Sequence, residues 1–103
     1  MEDFMRLNIV IGKIVEIEKL PESKKLFKIR ADIGIRNIQL IAGGAEFYRP
    51  EDLKGKLVVV LSNLESKIIR GFKSEGMLLA ADFKGKPVWL TIEEEVPLGT
   101  KVR

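Results

Sequence analysis

An all-β barrel is the fold this sequence predicts, and three patterns predict it. Apolar residues recur at every second position in several short segments, the period of a strand with one buried face. Only one brief stretch carries helix signals. Glycine and proline punctuate the chain at close intervals, so strands joined by turns, without long helices between them, account for most of it.

Each element can be justified in order. From Leu7 to Glu18 the odd positions Leu7, Ile9, Ile11, Val15 and Ile17 are apolar, while Asn8, Glu16 and Glu18 alternate with them. This is a long first strand, and Gly12 within it is expected to permit a bulge or a sharp bend, which a small barrel needs in order to close. LPESKK (20–25) is a turn opened by Pro21. In 26–33, Phe27, Ile29, Ala31 and Ile33 share one face and Lys28, Arg30 and Asp32 the other. RNIQLI (36–41) gives a third strand, with Ile38 and Leu40 inward and Asn37 and Gln39 outward, ended by Gly43–Gly44. EFYRPEDLKG holds a proline at a helix start, acids in the first turn and a glycine stop, enough for about one turn of helix. LVVVL (57–61) reads as a strand buried on both faces. MLLAA (77–81) is a fifth strand, and 88–91 after Pro87 suits an edge strand. Five strands with a single helical turn between the third and fourth define the Greek-key OB-fold barrel. One domain is expected over residues 1–103, with the barrel at about 7–83 and a C-terminal extension at about 84–103.

Composition removes whole classes of chemistry. Hydrophobic residues make up 46% and charged residues 32%, with a net charge of +3. That balance folds, where a disordered chain would join low hydrophobicity to high net charge. With no cysteine and no histidine, disulfides, thiol nucleophiles, Cys/His zinc sites and histidine bases are excluded. Glu93, Glu94 and Glu95 are consecutive, so in extended chain they alternate in direction and form no catalytic pair; a solvated acidic surface is the simpler reading. Ser62, Ser66 and Ser74 have no histidine partner, and neither GAEFY nor RGFKSEG has the spacing of a phosphate-cradling loop. No enzyme, metal, cofactor or small-molecule substrate is expected. No run approaches a membrane span, the N-terminus lacks a signal-peptide core, and the missing cysteine fits the cytoplasm. Abundant Ile, Lys and Glu with a single glutamine lean toward a heat-adapted source.

Charge segregation is the functional lead. Lys19, Lys24, Lys25, Lys28, Arg30, Lys67, Arg70 and Lys73 fall in 19–30 and 67–75, against only Glu22 and Glu75 in those windows. On an OB barrel these windows are the first loop, the wet face of strand two and the loop between strands four and five, the parts that line a nucleic-acid cleft. The bland alternative is that the lysines merely solvate strand faces. Stacking residues are scarce: Phe27 and Phe83 read as core, and Phe72 lies between an exposed platform and burial at the base of its own loop.

Three stretches, VIGKIVEIEKLPESKKL, AEFYRPEDLKGKLVVVLSNL and RGFKSEGMLLAA, resemble the tRNA-binding domain family. The similarity runs from about Leu7 to the end of the chain. The family includes free-standing structure-specific tRNA-binding proteins, the C-terminal domain or beta subunit of methionyl-tRNA synthetases, and the endothelial monocyte-activating polypeptide II module. The resemblance implies an OB-fold that binds tRNA by shape and without reading an anticodon. Homodimers, or partnership in trans with methionyl-tRNA synthetase, are implied too. Carried over position by position, it implies tRNA contacts at Lys25, Ser74, Gly76 and Met77, with Asn63 and Arg70 as companions. Met77 has a second reading as core at the start of strand five. Dimer surfaces are looked for at Phe4, Met5, Phe47, Tyr48 and the C-terminal extension. Two departures stand out: Ser66 replaces a proline common in relatives, and GGAEFY replaces an isoleucine-containing version. The related CsaA-type export chaperones share the fold and dimer but usually lack the GMLLAA ending; a protein-binding chaperone is therefore the rival reading.

Overall fold

The structure, a computed structural model, describes residues 8–62 and 65–103. Strand β1 (Ile9–Lys19) pairs antiparallel with β2 (Leu26–Asp32), and β2 with β3 (Asn37–Gly43). A four-residue helix α1 (Pro50–Leu53) follows, with proline in its first turn and Glu51 and Asp52 at its dipole-positive end. Those two acids also hold Arg49 more firmly protonated than usual, Asp52 foremost. Strand β4 (Leu57–Leu61) returns to the other edge of β1, and β7 (Met77–Leu78) pairs with β4. The sheet order β3-β2-β1-β4-β7 is the expected OB order, with a short hairpin, β5 (Lys67–Ile69) and β6 (Phe72–Ser74), between its fourth and fifth strands.

The register of β1 shifts between Ile14 and Glu16, so the bulge falls at Val15 and not at Gly12. It reverses which parity faces inward. Val10 and Ile14 enter the barrel before the bulge, and Ile17 packs against the barrel core after it. The core is otherwise the expected one: Phe27, Ile29, Ala31, Ile38 and Leu40 with Val58 and Val60. LVVVL is buried on both faces, since Val59 joins Ile9 and Ile11 in a second cluster covered by Ile92, Val96 and Val102.

That second cluster is made by the C-terminal extension. Ile11 N–H donates to Thr100 O (2.9 Å), and Gly99 N–H and Val102 N–H donate to Ile11 O and Ile9 O. Residues 99–102 thus take the edge of β1 that β2 leaves unpaired.

Three further expectations are corrected. MLLAA is not one strand: after β7 the chain leaves the barrel, and β8 (Ala80–Phe83) pairs with β9 (Lys86–Trp89) in a separate hairpin. The edge strand therefore covers 86–89, where 88–91 was expected. Phe83 is not core but 60% exposed. The aromatic packed on the barrel core is Trp89, 6.1 Å from Phe27 in an edge-on contact and 6.1 Å from Tyr48 in a tilted one. Such a contact is worth about 0.5–1.5 kcal/mol beyond area burial.

Candidate nucleic-acid interface

The barrel closes in a way that shapes this face. Between β3 and β7 there is no ladder, and residues 74–76 bridge the gap. Glu75 N–H donates to Gln39 O (2.8 Å) and its carboxylate accepts Gln39 N–H (2.8 Å). The Gln39 amide donates to Lys73 O, and Ser74 Oγ accepts Ile41 N–H (3.1 Å) while donating to Gly76 O (3.2 Å). Among the described residues no buried side-chain polar atom is left without a partner, as burial requires. This clasp holds the β5–β6 hairpin beside the outer face of β3.

On that scaffold the predicted residues occupy distinct positions. Lys25 is exposed, and its backbone is fixed by a bond from its N–H to Ser23 Oγ and by one from Ala45 N–H to its carbonyl. Lys67 and Lys73 are exposed on neighbouring strands of the hairpin, near the pair Lys67–Ser74. Arg70 is exposed at the hairpin turn with φ of 53°, and Gly71 follows with φ of 84°. Two successive left-handed residues make the turn that matches strand twist, usually filled by asparagine and glycine. Arg70 is an unusual first residue there.

Met77 is 51% exposed and pairs across from Leu61, so it does not plug the core. With Ile41, Lys67, Ile69 and Gly76 it lines a shallow hollow of about 140 Å³. Ser74 is 5% exposed, and its hydroxyl is committed to the clasp. Asn63 lies outside the described residues, as do Phe4 and Met5.

Counting charges by sequence window missed two acids. Antiparallel register sets Glu16 opposite Arg30 and Glu18 opposite Lys28, and both pairs form, at 3.5 and 3.2 Å. The sheet face is therefore charge-paired. Of the eight cations in the two windows, the six that make no ion pair among the described residues lie at the β1–β2 connection (Lys19, Lys24 and Lys25) and on the β5–β6 hairpin (Lys67, Arg70 and Lys73). Alternation plus antiparallel pairing would have predicted Glu16 and Glu18; the roles of Gln39 and Glu75 carry no local signal. Phe72 is half-buried, with Lys28 Nζ 5.1 Å from its ring centre, between the two readings the sequence allowed.

Fold and surface together define a class: a small OB barrel whose strand-two and strand-three face lies between two basic loops, suited to a polyanion. The chain belongs to the tRNA-binding domain family, matching "Putative tRNA binding domain" over residues 9–101. It is similar to the methionine–tRNA ligase of Archaeoglobus fulgidus, 51% identical over 102 residues, covering 99% of this chain and 16% of that protein. The methionine–tRNA ligase of Thermotoga maritima is 43% identical, with the same coverages of 99% and 16%. The chain thus spans 16% of the length of these relatives. Among solved structures, a MetRS-related protein from Pyrococcus horikoshii superposes with TM-score 0.92 at 33% identity, covering 99% of this chain and 94% of that one. The chaperone CsaA from Bacillus anthracis gives 0.89 at 34%, with 99% and 95% covered. Among the described residues, no helix is long and apolar enough to cross a membrane.

Proposed function

We propose that this chain is a non-catalytic tRNA-binding module that holds tRNA by backbone and shape, either free-standing or in trans with methionyl-tRNA synthetase in the cytoplasm. The observation that carries this is the placement of two groups of cations, Lys24 and Lys25 on the β1–β2 loop against Lys67, Arg70 and Lys73 on the β5–β6 hairpin, flanking one barrel face. Lysine and arginine on loops reach phosphates, which position a nucleic acid without reading its bases. Lys25, Arg70, Lys67 and Lys73 carry the phosphate contacts. Met77 offers an apolar surface to sugar or base, and Lys28 and Arg30, already paired, help to set the face. Ser74 serves the interface by fixing β6, and Asn63 is carried from the family likeness alone.

The module works as a homodimer through the β8–β9 hairpin. Phe83, Val88 and Leu90 are 60, 43 and 43% exposed there, and the register sets exposed Ala81 on their face, with Lys86 across from Phe83. An exposed ribbon with several large apolar side chains on one face suits an interface. Lys84 at its turn and Glu93–Glu95 past its other end give it opposite charges at opposite ends. A two-fold antiparallel contact would set unlike charges together. The CsaA likeness keeps a protein-binding role as the second reading, a chaperone dimer that uses the same cleft face for peptides.

Filter binding of total tRNA over a salt series tests the assignment. Affinity should fall linearly on a log–log plot, with a slope of roughly −0.7 to −0.9 per phosphate contacted. A flat response, or no binding, overturns it.

A further inference from the structure

Between the β1–β2 loop and the tip of the β5–β6 hairpin lies an open pocket of about 340 Å³. That is within the ~300–1,000 Å³ typical of small-ligand sites. Its apolar lining is Leu20 and Pro21 from the loop and Phe72 from the hairpin, and Arg70 and Gly71 line it as well. Leu20 is buried at 4% and its N–H donates to Leu26 O, so that side is fixed. The Phe72 ring is held from the sheet by Lys28, whose ammonium is itself paired with Glu18. A rigid proline, an aromatic ring and a guanidinium on one small pocket suit a flat group that carries an anion. Of the pocket's lining residues only Glu22 is acidic, whereas Arg70 lines it and Lys24 and Lys25 follow Ser23 on the same loop.

We propose that this pocket receives one unpaired nucleobase of a bound RNA, stacked on Phe72 against Leu20 and Pro21, with the adjoining phosphate on Arg70. The proposal rests on the tRNA-binding reading and adds to it a preference for RNA with an unstacked nucleotide. A base inside a duplex cannot enter, whereas loops and ends offer bases that can be splayed out. Stacking accepts every base, so the pocket would select unpaired structure and not sequence.

The test compares total tRNA with a blunt RNA duplex that has no unpaired nucleotide, using Phe72→Leu and Arg70→Asn. Leucine keeps apolar bulk without the ring, and asparagine suits the left-handed turn without the charge. Phe72→Leu should weaken tRNA binding about tenfold at every salt concentration and leave duplex binding unchanged. Arg70→Asn should reduce the salt slope for tRNA by about 1. Fluorescence of a single-stranded tetranucleotide containing 2-aminopurine should be quenched by the wild-type protein and not by Phe72→Leu. If Phe72→Leu binds tRNA as tightly as wild type, or loses duplex and tRNA equally, the pocket assignment is wrong while tRNA binding stands. If wild type binds no tRNA, the reading beneath it falls as well.

Discussion

At the scale of single residues, the Ser74–Glu75–Gly76 triplet closes the barrel between β3 and β7. A Cβ on Gly76 would lie 2.5 Å from the carbonyl oxygen of Leu61 and 3.3 Å from Leu40 Cδ2. The nearest obstacle is backbone of β4 and cannot turn aside. Gly76→Ala should therefore destabilise by about 1–3 kcal/mol, the range for overpacking, read as a lower urea midpoint. Ser74→Ala removes the acceptor of a buried Ile41 N–H, and about 1–3 kcal/mol should be lost there too. If Ser74 acts by holding β6, its variant should weaken tRNA binding without changing the salt slope. A fall in slope of about 1 would instead mean a lost phosphate contact. The sequence made these residues conspicuous through their pattern, yet it could not separate a hydroxyl facing RNA from one facing the barrel. That distinction depends on what lies across the closure, and Gln39 and Ile41 are more than thirty positions away.

At the scale of elements, the alternating strands and the helical turn were legible because their periods and punctuation are local. Phe27, Ile29, Ala31, Ile38 and Leu40 all fell on the face that alternation gives them. What was not legible is long-range pairing. MLLAA is uniformly apolar and small at its end, so nothing in it marks where β7 stops pairing with β4 and β8 begins with β9. The same blindness hid the tail, whose PLGTKVR has no strand period although it completes the edge of β1. Gly99 is the pivot of that docking: its φ is +90°, and a Cβ there would meet Ile33 O at 2.7 Å. Gly99→Ala should loosen residues 99–102 from β1 while the barrel persists. Amide exchange reports it, because the Ile11 N–H is bonded to Thr100 O alone among the described tail contacts. Its exchange should accelerate strongly, with the amides of Val58 and Val60 little changed. Equal acceleration at all three would mean that the tail and barrel unfold as one unit.

At the scale of the whole molecule, a net charge of +3 is modest, and one small cleft with a few loop cations should bind tRNA weakly. Two linked clefts raise apparent affinity with no new contact, by roughly 10²–10⁴ where geometry lets both engage. In the proposed dimer the exposed β8–β9 ribbon links them, so affinity and oligomeric state should change together. Phe83→Asp places a carboxylate in the middle of the proposed contact, where burial without a partner is unfavourable. Because Phe83 is 60% exposed in the single chain, the substitution should leave the barrel folded, with unchanged circular dichroism. Light scattering should then give a monomer, and tRNA affinity should drop at least tenfold at fixed salt. Charge reversal adds a stricter condition. Lys84→Glu should weaken the dimer by setting like charges together, and combining it with lysine at positions 93, 94 and 95 should restore association. A Phe83→Asp protein that remains dimeric would place the interface elsewhere. A folded monomer that binds tRNA as tightly as wild type would instead show that one cleft is sufficient.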